Sequence, residues 1–150
     1  MPSKDLIEAE STLRAVIENL IDGQEGLQKI GEQLEDETLK RFFLAESLTR
    51  AEFRGELENI LHQEGVGDIN ETGSAAGAFV RAWTSLKSAL GGSARTLLET
   101  AEEAEDATKQ AYADAVEKFL PAPTREVLIR QAAHVEGAHD YIKAARDASR

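Results

Sequence analysis

Apolar residues recur every three or four positions along four long stretches, and this spacing constrains the fold more than any other feature of the chain. Such a period places the apolar residues on one face of an α-helix. We find no convincing alternating pattern of the kind that predicts a β-strand, and only three prolines occur. The sequence therefore predicts an all-α fold. The four apolar stripes run from Leu6 to Leu34, from Leu39 to Ile60, from Leu97 to Phe119 and from Leu128 to Ile142.

Residues that favour helix starts precede each stripe. Ser3, Asp36 and Ser93 have short polar side chains that can accept a hydrogen bond from a backbone N–H in the first turn. Pro123 is suited to the first turn of the fourth helix. Glycines inside the first stripe leave two interpretations open, because they permit close helix packing or mark a break near Gly23.

The lengths of the connections predict the topology. About two residues join the first helix to the second, and about two join the third to the fourth, so each pair is antiparallel. About thirty residues separate the second helix from the third, and they include a short amphipathic segment around Trp83. We therefore expect one domain, residues 1–150, folded as a ferritin-like antiparallel four-helix bundle. Its crossover, at about residues 65–92, carries a short fifth helix.

The composition excludes several functions. The chain of 150 residues has 17 Lys and Arg against 28 Asp and Glu, a net charge of −11. This charge would repel nucleic-acid phosphates and anionic lipids, so we expect no nucleic acid and no membrane as partners. The absence of Cys excludes disulfides and thiolate chemistry. The sequence shows no signal peptide and no transmembrane stretch, so we expect a cytoplasmic location.

Polar residues interrupt the apolar stripes at similar heights. Counting from the predicted turns places them mid-bundle, which predicts a buried polar cluster. Its predicted members are Gln24, Glu46, Arg50, Glu105 and Glu136.

Arg50 is the one cation in this predicted cluster. One interpretation has its side chain reaching outward to solvent. The other has its guanidinium facing inward and paired with Glu105 or Glu136. Of the histidines, His62 and His134 have no evident partner in the pattern and are predicted to be surface residues.

Two stretches carry a resemblance to a known family. The segment "LEDETLKRFFLAESLTRAEFRGEL", from Leu34 to Leu57, resembles the second helix of rubrerythrin-type ferritin-like proteins. The segment "GSAAGAFVRAWTSLKSALGG", from Gly73 to Gly92, resembles the crossover of a small bacterial family of uncharacterised ferritin-like bundles, a domain of unknown function. The resemblance covers nearly the whole chain and implies the bundle fold.

For the wider superfamily, the resemblance implies a carboxylate-bridged di-iron site. Such a site takes a Glu from each of two helices and a Glu-x-x-His from each of the other two. Glu136 and His139 match this motif in the fourth helix, and Glu105 matches the Glu of the third. The second helix departs from it, because Arg50-x-x-Phe53 stands where Glu-x-x-His is expected.

Two hypotheses follow. In the first, the protein is a non-catalytic bundle with a degenerate di-iron site and no cofactor, which works by protein association in stress or envelope physiology. Its partners would be a second copy in a homodimer and an unknown protein. In the second, it is a metal-binding protein that holds one Fe or Zn ion through Glu105, Glu136 and His139, or a residual di-iron oxidoreductase.

Overall fold

The computed structural model describes residues 4–63, 92–118 and 120–149, and side chains in the first helix from Ala9 onward. This part of the chain forms four α-helices and contains no strand, which confirms the all-α prediction. The predicted crossover and its short helix around Trp83 lie outside the described residues, apart from Gly92. The helices are α1 (Lys4–Gln33), α2 (Glu37–Gln63), α3 (Ala94–Val116) and α4 (Ala122–Ala148).

Three of the four helix starts follow from local chemistry. Asp36 Oδ1 accepts a hydrogen bond from the Leu39 N–H at 2.9 Å, before the first turn of α2. Ser93 Oγ accepts one from the Thr96 N–H at 3.2 Å at the start of α3. Pro123 lies in the first turn of α4. These contacts confirm the predicted starts, while Ser3 lies outside the described residues.

Helix α1 is continuous from Lys4 to Gln33, so the interpretation of a break near Gly23 is wrong. A glycine is needed further along, at Gly31. A Cβ atom added there would lie 3.0 Å from Leu44 Cδ2 and 3.2 Å from Phe43 Cβ. Gly31 therefore allows α1 and α2 to approach closely.

Each helix packs against two others, so the four helices form a square in cross-section. Helix α1 contacts α2 and α3, and α4 contacts α3 and α2. The pairs α1 with α4 and α2 with α3 lie across the diagonals. The contact between α2 and α4 is the least extensive of the four, so side chains rather than close backbone approach join these two helices.

Contacts along α4 give the helix directions. Phe42 near the start of α2 stacks on Tyr141 near the end of α4, with ring centroids 4.1 Å apart. Arg95 at the start of α3 donates to the Ser149 carbonyl oxygen, just after α4 ends, at 2.9 Å. Helix α4 is therefore antiparallel to both α2 and α3, and these two run parallel. The end of α2 and the start of α3 thus lie at opposite ends of the bundle.

The buried core divides into two apolar clusters, one toward each end of the bundle. Along α2, Phe43 belongs to one cluster and Phe53 to the other, with Glu46 and Arg50 between them. Along α3, Glu105 lies between Ala101 of one cluster and Tyr112 of the other. Charged residues therefore form a middle layer of the core. None of the described helices is long and apolar enough to cross a membrane.

Candidate functional site

The centre of the bundle holds a buried ion pair between Arg50 and Glu105. Arg50 is completely buried and Glu105 is 2% exposed. The Arg50 Nη1 donates to Glu105 Oε1 at 3.0 Å, and Nη2 donates to Glu105 Oε2 at 2.8 Å. This bidentate geometry matches the planar fork of the guanidinium to the carboxylate. It links α2 and α3 across the diagonal, where their backbones do not meet.

Glu46 extends the ion pair toward the surface. The Arg50 Nη2 also donates to Glu46 Oε2 at 3.3 Å, one helical turn earlier on α2. The other oxygen of Glu46 lies 2.8 Å from Nε2 of His134 on α4. The His134 side chain is 42% exposed, whereas Glu46 is buried. We call these four residues, Glu105, Arg50, Glu46 and His134, the central cluster.

Electrostatics keep Arg50 charged despite its burial. Burial disfavours the charged guanidinium and works to lower the pKa of Arg50. The carboxylates of Glu105 and Glu46, together with the hydrogen bonds to Glu105, outweigh this effect, and the pKa of Arg50 is raised overall. The central cluster therefore has a permanent internal cation.

A second polar network lies beside the central cluster. The Tyr112 hydroxyl donates to Gln131 Oε1 at 2.8 Å. The Gln131 side chain in turn donates to the Phe53 carbonyl oxygen and to Glu56 Oε1, both at 3.3 Å. Burial is the main cause that raises the pKa of Tyr112, so the hydroxyl stays neutral. The network joins α2, α3 and α4 mainly through uncharged groups. Its charged member, Glu56, forms an ion pair with Arg130.

His139 lies apart from the central cluster and contacts other carboxylates. It is 7% exposed, and its Nε2 lies 2.8 Å from Asp106 Oδ1 on α3. These two atoms are close but are not aligned as a hydrogen bond. The Nδ1 of His139 lies 3.2 Å from Asp140 Oδ1. Both aspartates are largely exposed, so His139 joins α3 to α4 at the edge of the core.

The structure corrects the predicted position of Glu136. The sequence placed it on the inner face as a member of the predicted buried cluster, but its side chain is exposed. The buried face of α4 instead includes Leu128, Val135 and Ile142. Each step along a helix turns the side chain by about 100°, so Glu136, one position after Val135, points away from the core. Of the two proposed partners of Arg50, only Glu105 contacts it.

Gln24 and His134 also differ from expectation. The predicted cluster included the Gln24 side chain, but Gln24 is only half-buried. It contributes its backbone carbonyl, which accepts a hydrogen bond from Ser47 Oγ at 2.9 Å. The prediction that His134 has no partner is wrong, since Glu46 binds it. The sequence carried no signal for this contact, because the two residues are 88 positions apart.

The described residues do not fit a di-iron centre. Glu105 has both oxygens engaged by Arg50, Glu136 points outward, and His139 faces Asp106. Within residues 4–63, 92–118 and 120–149, no group of three or more His, Cys, Asp or Glu side chains is arranged to hold a metal ion. The expected ligand set of Glu105, Glu136 and His139 is therefore not assembled, and a guanidinium stands among the carboxylates.

Comparison with known proteins gives a family. A search of curated proteins found no match. The family model described as "Domain of unknown function (DUF2383)" matches residues 8–118, which include nearly all of α1, all of α2 and α3, and the segment between them. Because the match covers more than half of the 150 residues, the chain belongs to the DUF2383 family.

Proposed function

We propose that this protein is a non-catalytic bundle of ferritin-like topology that acts through protein association, and that buried ion pairs take the place of a metal centre. The observation that carries this proposal is the bidentate contact of Arg50 with Glu105 in the middle of the core. The resemblance to ferritin-like proteins implies that residue 50 stands where those proteins have a metal ligand. A guanidinium at that position supplies the positive charge that a metal would otherwise bring.

The contacts of Glu105 explain why a metal would bind poorly. To ligate an ion, Glu105 would have to release Arg50 or share its oxygens with it. Breaking a buried pair leaves an uncompensated charge in the core, at a cost of about 3–5 kcal/mol. The nearby guanidinium would also repel any second cation. We therefore propose that no di-iron redox chemistry takes place here.

The ferritin-like topology is supported by the directions of the helices. Helices α2 and α3 are parallel, lie on a diagonal, and end and begin at opposite ends of the bundle. The connection between them must span the length of the bundle, as in two antiparallel hairpins joined by one long crossover. We propose that residues 65–92 form this crossover.

Metal analysis of the untagged wild-type protein tests the absence of a metal centre. We expect only trace iron and zinc, with no change in the melting temperature after dialysis against a chelator. A stoichiometric transition metal that is lost on Glu105→Ala, but kept on the surface substitution Glu103→Ala, would overturn the proposal. Glu103 is a matched control because it is an exposed glutamate on the same helix.

The proposal of association includes a homodimer. Analogy with ferritin-like bundles motivates it, and the described part of the chain exposes three large apolar side chains that such an interface could cover. Light scattering is expected to give a mass near twice the 16.4 kDa of the chain. A mass of 16.4 kDa at all concentrations would exclude the homodimer. These side chains are Leu48 (67% exposed), Ile129 (51%) and Tyr141 (39%).

A further inference from the structure

Four residues form a stripe along the outer surface of α4. Arg125, Ile129 and Glu136 are exposed, and Ala132 is half-buried. Each step along a helix turns the side chain by about 100°, so these four positions fall within about 60° of one another. Ile129 is the one large apolar side chain among them and is 51% exposed. We call these four residues the α4 stripe.

The α4 stripe borders a shallow groove between α3 and α4. Ala132 and Glu136 line the groove from α4, while Ala113 and Val116 give it an apolar wall on α3. Its volume is about 180 Å³. An exposed apolar side chain and an apolar groove therefore lie next to each other on one surface. The groove is lined by Lys109, Tyr112, Ala113, Val116, Ala132 and Glu136.

Opposite charges stand at the two ends of the stripe, with Arg125 at its start and Glu136 at its end. In the described part of the chain, neither side chain takes part in an ion pair. The midpoint between Arg125 and Glu136 is also the midpoint between Ile129 and Ala132. A two-fold axis through this point places cation against anion and the large apolar side chain against the small one. The stripe is therefore complementary to itself.

We propose that the α4 stripe is the surface through which two copies of this chain form a two-fold symmetric dimer. Ile129 of each copy packs on Ala132 and into the groove of the other, and Arg125 of each copy pairs with Glu136 of the other. The occupant is a second copy because a single axis matches both the charges and the apolar residues. The inference rests on the homodimer of the proposed function and specifies the surface that forms it.

The apolar contact is tested with Ile129→Asp in the full-length protein. Sedimentation equilibrium measures the dissociation constant of the dimer, which we expect to rise at least about tenfold, because a carboxylate would have to enter the apolar groove. Circular dichroism should show an intact helical fold, since residue 129 is exposed. Leu48→Asp is the matched control, because Leu48 is an exposed apolar residue on α2 (67%) and should leave the dimer unchanged.

The charged contacts are tested by reversing one end of the stripe at a time. Arg125→Glu and Glu136→Arg should each raise the dissociation constant at least about tenfold, because like charges then face each other at both ends of the dimer. When the two variants are mixed, both contacts join opposite charges again, so a heterodimer should form. Native mass spectrometry detects it, because the two variants differ in mass. Arg41→Glu makes the same charge change at an exposed position on α2 and should have no effect.

The heterodimer is the result that a change in general stability would not produce. A wild-type dimer that persists in Ile129→Asp and in both charge variants would overturn the proposed interface and leave the homodimer itself in place. A mixture of the charge variants that forms no heterodimer would also contradict the interface. A wild-type protein that is monomeric at all concentrations would instead reject the homodimer of the proposed function, and the interface with it.

Discussion

Arg50 and Glu105 meet through two hydrogen bonds, at 3.0 and 2.8 Å, across the diagonal between α2 and α3. These two helices make no direct packing contact, so the ion pair connects them through the middle layer of the core. A buried pair of this kind adds little net stability compared with apolar residues, but each charge depends on the other.

Replacing the whole pair should therefore be much milder than replacing half of it. Arg50→Met alone leaves Glu105 and Glu46 without a cation and should cost about 3–5 kcal/mol. Arg50→Met combined with Glu105→Leu and Glu46→Gln should recover most of this loss, because apolar packing and a neutral amide replace the charges. Urea denaturation measures both. A combined variant that is less stable than Arg50→Met would contradict this explanation.

Substitutions of glycine by alanine should change the stability of the protein in opposite directions at different positions. At Gly31 the new Cβ would lie 3.2 Å from Phe43 Cβ, an atom fixed to the α2 backbone. Gly31→Ala should therefore destabilise the protein by about 1 kcal/mol or more. At Gly55 and Gly137 the new Cβ would have no neighbour within 4 Å.

Gly55→Ala and Gly137→Ala are matched controls for Gly31→Ala, because all three positions lie inside helices. Each control should raise the free energy of unfolding by up to about 1 kcal/mol through helix propensity. Thermal melts of the three single variants give the comparison. A stabilising Gly31→Ala would show that α1 and α2 are not held at this close distance.

Tyr112 should make the protein sensitive to alkaline pH. Burial raises the pKa of Tyr112 above the 10.0 of a free tyrosine. Above about pH 10 the unfolded chain releases this proton while the folded chain keeps it, so the stability falls as the pH rises. Tyr112→Phe should remove this part of the decline, although it loses the hydrogen bond to Gln131 at neutral pH.

Ultraviolet titration of the phenol groups checks the same prediction directly. The chain has two tyrosines, so Tyr141→Phe leaves Tyr112 as the only signal. Its ionisation should coincide with alkaline unfolding followed by circular dichroism. A tyrosinate signal that appears near pH 10, about the value of a free phenol, while the helices are intact would contradict the neutral, buried hydroxyl.

The sequence was sufficient for the four described helices, because their determinants are local. Apolar spacing, the Asp36 and Ser93 caps and Pro123 depend on neighbours within a turn or two. Of the two interpretations of Arg50, the inward one is confirmed, and the spacing favoured it, since Arg50 lies between Phe43 and Phe53 on one stripe. These predictions needed no knowledge of how the helices are arranged in space.

The central cluster was harder to predict because it depends on helix rotation and on which helices are neighbours. The predicted inner face of α4 was wrong by one position, so the exposed Glu136 was predicted to lie in the core. His134 was missed because its partner Glu46 is 88 residues away, across the side of the bundle where α2 and α4 approach least. No local sequence pattern predicts a contact between residues so far apart in the chain.

A double-mutant cycle between Arg50 and Glu105 measures directly whether this ion pair holds the centre of the bundle. The single variants Arg50→Met and Glu105→Gln and the combined variant are unfolded in urea, and the coupling energy is taken from the four free energies of unfolding. We expect a coupling of at least about 2 kcal/mol, since the two charges are buried and bonded at two points. A coupling near zero, with each single variant close to wild-type stability, would mean that no ion pair holds the centre of the bundle.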